Sequence, residues 1–238
     1  MRVEIWSDIA CPWCYVGKAR FEKALDAFPH RDQVEVVHRS FELDPGRAKG
    51  DIQPVITMLT RKYGMSAAQA QAGEENLGAQ AAAEGLEYRT EGRDHGNTFD
   101  MHRLLHLAKE QGRQDALIQA FYRANFAEER SVFSEGDERL VELAVAAGLD
   151  ADDVRGVLAD PDAYADDVRA DEREAAELGA SGVPFFVLDR RFGVSGAQPA
   201  EVFEQALTQA WGDRSPLRLI DQGDADACGP DGCAVPQR

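Results

Sequence analysis

"SDIACPWCYVG", residues 7–17, sets two of the chain's four cysteines, Cys11 and Cys14, two residues apart between an apolar run and an amphipathic one. The preceding "RVEIW" alternates and carries Val3, Ile5 and Trp6, so it reads as a short strand. Pro12 suits the first turn of a helix, and Trp13, Val16, Phe21, Leu25 and Phe28 recur behind it at roughly helical spacing. "QVEVVHRSFEL", residues 33–43, is rich in β-branched and aromatic residues and runs into "DPG", which marks a second strand and its turn. The opening order is strand, CxxC, helix, strand.

A CxxC at the start of a helix places its first sulfur beside unpaired backbone N–H groups and the positive end of the helix dipole, and both stabilise a thiolate. Cys11 is therefore the expected nucleophile. Cys14, one turn later, is the expected resolving thiol, which attacks the mixed disulfide and releases the substrate. The same spacing is also a zinc half-site that Cys228 and Cys233 would complete with two more thiolates. A structural clip is the third reading. The β-CxxC-α-β order favours redox chemistry.

Composition narrows the partners. With 43 acidic against 26 basic residues the formal charge is -17, a field that repels a nucleic-acid backbone or an anionic membrane. No apolar run approaches about 18 residues, and "MRVEIWSDIA" lacks the order of a secretory signal, so the expectation is a cytoplasmic protein with neither nucleic acid nor membrane as partner. Thiols there are mostly kept reduced, which again favours a working cysteine pair over a staple.

From about residue 52 to 178 the texture turns to Ala, Glu, Leu, Arg and Gln with helical periodicity, enough for about six helices, with Gly64, Gly112 and Gly148 at expected helix ends. "GVPFFVLDRRFGVSGAQ" returns to strand texture as two short runs turning at 189–191, and "PAEVFEQALTQAW" reads as a closing helix. Beyond Trp211, Asp, Gly and Pro dominate, as in a flexible tail.

"SGVPFF", residues 181–186, together with CPWC resembles the thioredoxin superfamily, in which a cis-proline opens the strand facing the CxxC. The resemblance implies a cis Val183–Pro184 bond, with Pro184 keeping metal from the thiols and the Val183 backbone pairing with an extended substrate. An ordinary trans proline at a strand start is the bland alternative. "DIACPWCYVGKARFEKAL", "GNTFDMHRLLHLAKEQG" and "FGVSGAQPAEVFEQAL" narrow the resemblance to FrnE-type proteins of the DsbA family, relatives of 2-hydroxychromene-2-carboxylate isomerases and kappa-class glutathione transferases. The expected fold is α/β, a thioredoxin fold with a large all-helical insertion between its second and third strands. Its parts would be residues 1–51 and 179–212, an inserted domain 52–178, and a tail 213–238.

By the same resemblance the function is disulfide exchange with protein thiols and disulfides, as reductase or isomerase, with a low-molecular-weight thiol or a thioredoxin system as electron donor. No cofactor and no metal is expected, and a homodimer is. Pro12 and Trp13 do not supply the histidine that DsbA-like oxidants carry between their cysteines, so strong oxidising power is less secure than exchange. The isomerase and transferase relatives carry serine in place of the first cysteine. They keep alive a glutathione-dependent isomerase or transferase acting on a small aromatic or polyketide substrate, and a zinc-binding interaction protein is a further class.

With Pro12, Trp13 and Val183, Asn97 and His102 are substrate-binding candidates, since they match a cleft-facing helix in the relatives. The alternative is that Asn97 or Thr98 caps the helix and His102 is a hydrogen-bonded helix residue. His102 and His106 stand at i and i+4 but lack the HExxH pattern of a zinc pair. His38 is a candidate proton acceptor for Cys14 if its strand turns it that way. Cys228 and Cys233 flank a Gly-Pro-Asp-Gly turn, about 20 to 25 Å of typical flexible reach from Trp211, and could relay electrons to the first pair, guard it, bind metal or form an idle disulfide.

Overall fold

A computed structural model describes residues 1–133 and 135–214. Cys228, Cys233 and nearly all of the expected tail lie outside the described residues. The first strand, β1 (Arg2–Ser7), is largely buried, as a central strand must be. On one side it pairs in parallel with β2 (Glu35–Ser40), Arg2 opposite Glu35 through Ser7 opposite Ser40. On the other it runs antiparallel to the strand Phe185–Leu188, which turns back into Phe192–Ser195, giving the order β2, β1, then these two. The turn between them takes positive φ at Asp189 and Arg190, and the Asp189 carboxylate accepts the Arg2 N–H at 2.7 Å, fixing the turn to the start of β1.

The pleat divides β1 between two cores. Val3 and Ile5 face Phe21 on α1 (Pro12–Ala27) and Phe203 and Leu207 on the closing helix Ala200–Gly212. Trp6, on the opposite face, packs with Phe185, Val187 and Ala175. Between β2 and the Phe185 strand the described residues form seven helices rather than about six: α2 (Val55–Tyr63), α3 (Ala67–Ala83), α4 (Phe99–Glu110), α5 (Gln114–Phe126), α6 (Asp137–Ala146), α7 (Ala151–Ala159) and α8 (Ala165–Glu177). Gly64, Gly112 and Gly148 stand at the ends of α2, α4 and α6 with φ of 67, 67 and 96°, the left-handed geometry that favours glycine. A ribbon of β3 (Gln53–Pro54) and β4 (Asp94–His95) was not foreseen, because two-residue strands carry no periodicity. With these, the strands at Phe185–Leu188 and Phe192–Ser195 become β5 and β6, and the closing helix α9.

Buried polar groups dock the helices on the sheet. Asp171 on α8 accepts Arg39 Nη1 at 2.8 Å and the Ser40 N–H at 2.9 Å, while its carbonyl accepts the Trp6 indole N–H. Glu4 accepts from Arg39 Nε at 3.0 Å and from Arg190. At the start of α5, Gln114 accepts the His38 N–H at 3.0 Å and donates to the His38 carbonyl at 2.8 Å. The His38 ring faces the Asp115 carboxylate at 3.4 Å, so β2 turns it toward α5 and Lys18 rather than toward Cys14.

Candidate active site

Cys11 is the N-cap of α1, with extended backbone, and Pro12 fills the first helical position, where a missing N–H costs nothing. The Cys11 N–H donates to the Asp8 carbonyl at 3.1 Å, and the Cys14 N–H donates to the Cys11 carbonyl at 3.0 Å. Asn125 of α5 donates to the Ile9 carbonyl at 2.8 Å, tying the loop before the cysteines to the helical region. Both cysteines are unpaired thiols, and both belong to the apolar cluster that α4, α5 and α6 build. The pair therefore sits at the joint between sheet and helices.

Opposite it, the Val183–Pro184 peptide is cis. The Cys11 thiol donates to the Val183 carbonyl at 3.6 Å, a contact joining residues 172 apart in the chain. Trp13, 39 % exposed, stands beside the pair. Gly17, two turns into α1, gives Pro184 its place: a Cβ there would lie 3.0 Å from the proline Cγ and 3.2 Å from Ala197.

Burial pushes the Cys14 thiol well above its ordinary value, and Cys11 and the Asp8 carboxylate push in the same direction against the Asp8 N–H. Burial would also raise Asp8. Hydrogen bonds from His102 Nε2 at 3.3 Å and the Leu43 N–H at 2.7 Å, with the Thr98 hydroxyl, instead hold its carboxyl below the usual range. Tyr122 hydrogen-bonds Ser7, and burial, with Cys14 nearby, keeps its phenol protonated.

Cys11, Pro12, Trp13 and Val183 meet around one pocket. His102 does not line it; its ring is buried against Asp8. Asn97 is also elsewhere, donating to the Arg47 carbonyl at 2.8 Å and accepting the Phe99 N–H at 2.9 Å at the entry to α4. His106 bonds Ser40 and Asp171, so the i, i+4 histidines serve different carboxylates. Among the described residues no group of three or more His, Cys, Asp or Glu is placed to hold a metal ion. Asp8 and Gly17 were missed as contributors, although a glycine costing about 1 kcal/mol in mid-helix is itself a sign of close packing. Among the described residues no helix is long and apolar enough to cross a membrane.

Comparison with known proteins agrees with this geometry. A family model described as a DSBA-like thioredoxin domain matches residues 2–208. The crystal structure of a probable DsbA oxidoreductase from Streptomyces coelicolor is 82% identical, with a TM-score of 0.90 and 100% of each chain covered. A 2-hydroxychromene-2-carboxylate isomerase shares the fold at 18% identity and a TM-score of 0.64, over 91% of this chain and 100% of that one. A cytosolic disulfide reductase, DsbM from Pseudomonas aeruginosa, does so at 19% identity and a TM-score of 0.58, over 88% and 98%.

Proposed function

The chain belongs to the DSBA-like thioredoxin domain family, and from that premise we propose that it is a thiol–disulfide oxidoreductase in which Cys11 attacks and Cys14 resolves. The observation that carries this is the position of Cys11 at the N-terminus of α1, against the Val183 carbonyl, with Cys14 buried one turn behind it. The attacking sulfur belongs to the N-cap residue of α1, and burial keeps the second thiol protonated while the first attacks. The protein substrate lies extended along Val183–Pro184, and its backbone pairs there as an added strand does. Reductase and isomerase directions suit a cytosolic, FrnE-like role under oxidative stress, with electrons from a low-molecular-weight thiol or a thioredoxin system. The name of the cytosolic disulfide reductase in the comparison is in keeping with this direction.

The test is a redox titration in glutathione buffers with mass-resolved alkylation of all four cysteines. Cys11 and Cys14 should titrate together as a dithiol, with Cys11 alkylating first at neutral pH, and Cys14→Ser should accumulate a mixed disulfide on Cys11. Independent titration of the two thiols would overturn the assignment. A glutathione-dependent isomerase is the second reading, in keeping with the isomerase that shares the fold. Saturable glutathione binding to Cys11→Ser would favour it.

A further inference from the structure

Cys11 is only 5 % exposed, and its sulfur-bearing residue forms part of the wall of a pocket of about 410 Å³ between the α1 N-terminus and the α2–α3 pair. That volume lies in the range of small-molecule sites, about 300–1,000 Å³. The part of the wall from the α2–α3 pair carries Val55, Met58, Leu59, Met65 and Leu77, with Tyr63 and the paired Glu74. Its cations are already committed. Lys62 bonds the Leu43 carbonyl at 3.1 Å and pairs with Asp44 at 3.5 Å, and Arg93 is bound to Glu74 and to the Tyr88 hydroxyl. Burial and the Arg47 charge hold His95 below its ordinary value, so it adds no positive charge, and Asp94 contributes an acid. An anionic ligand finds in this wall no cation beyond the partly paired Lys62. An uncharged apolar one finds a cavity of matching size, with a nucleophilic sulfur at its side.

We propose that this pocket binds small, uncharged, largely apolar disulfides, which Cys11 and Cys14 reduce in addition to protein substrates. The proposal rests on the exchange reading above and adds a second substrate class to it. The Cys11 thiolate attacks one sulfur of RS–SR′, forming Cys11–S–S–R and expelling R′S⁻. Cys14, giving up its proton, attacks Cys11 Sγ, expels RS⁻ and closes the Cys11–Cys14 disulfide. Two electrons pass from the chain to the ligand; the Cys14 proton ends on one product thiol, and the proton that Cys11 released to solvent on ionising is taken up by the other. A single turnover of the reduced chain needs no other reductant.

The experiment uses the full reduced chain in single turnover with dithiodipyridine, uncharged and aromatic, and with oxidised glutathione, anionic. Met58→Trp fills the pocket from α2, and Leu77→Arg charges it from α3; both positions are half-buried, so one variant remains informative if the other folds poorly. Each should lower the preference for dithiodipyridine over oxidised glutathione by about tenfold, the scale of losing one buried apolar group. Dibenzyl thioether, which cannot exchange, should bind the wild-type chain saturably and the variants more weakly. An unchanged preference in both variants, or no saturable thioether binding, overturns the pocket assignment while leaving exchange intact. If Cys11→Ser reduces dithiodipyridine as fast as the wild type, the exchange reading fails, and this proposal with it.

Discussion

At the scale of the residue, Cys14 links the site's chemistry to stability. Its folded thiol is raised chiefly by burial, so the folded chain holds that proton more tightly than the unfolded chain, whose cysteine titrates near pH 8.5. The stabilisation is complete below about pH 8.5 and is lost as pH rises above it. Urea unfolding of the reduced protein should therefore show a falling midpoint between about pH 8.5 and 10, and Cys14→Ala should flatten that decline. An equal decline in the variant would rule out Cys14 as its source; Tyr122, shifted in the same direction, adds its own loss only above about pH 10. Cys11, Cys14 and Pro184 were legible because CxxC and Val-Pro are local strings. Asp8 was not, because its role depends on His102 and Leu43, which are 94 and 35 residues away.

At the scale of the element, the helical region is held by polar groups that no periodicity reveals. Arg103, almost fully buried on α4, donates through Nη1 to the carbonyls of Val157 at 2.6 Å, Asp160 at 2.7 Å and Ala163 at 3.1 Å, and through Nε and Nη2 to Asp100. It thus serves carbonyl groups at the end of α7 that helix geometry leaves open. Arg103→Ala should cost about 3 kcal/mol or more in denaturant unfolding, because several buried acceptors lose their donor at once. A loss below about 1 kcal/mol would mean that water replaces the guanidinium. The helices themselves were legible from spacing and glycines, whereas the face of β2 that carries His38 was not, since both faces of that strand are covered and alternation loses its meaning.

At the scale of the whole molecule, the same burial sets an acid limit. His38 and His95 are held below their ordinary values mainly by burial, so the unfolded chain binds more protons than the folded one as pH drops through about 6.5. Their contribution is present above that pH and is lost below it. Asp8 and Asp171 are buried but held low by their hydrogen bonds, and they add a second loss below about pH 4. Thermal unfolding should show a midpoint that falls from pH 7 to pH 5 and then more steeply below 4. His38→Gln should remove part of the first decline and none of the second.

The polar caps on β2 also bear on assembly. A strand at the border of a sheet is a template on which another chain can grow, and the outward N–H and C=O groups are what it reads. Gln114 occupies both such groups of His38, and Asp171 takes the N–H of Ser40, so two side chains imitate the neighbour that β2 lacks. Strand-by-strand growth is blocked at this border. A homodimer of this chain would have to form its seam elsewhere, and any seam that adds strands would have to use the opposite border, β6.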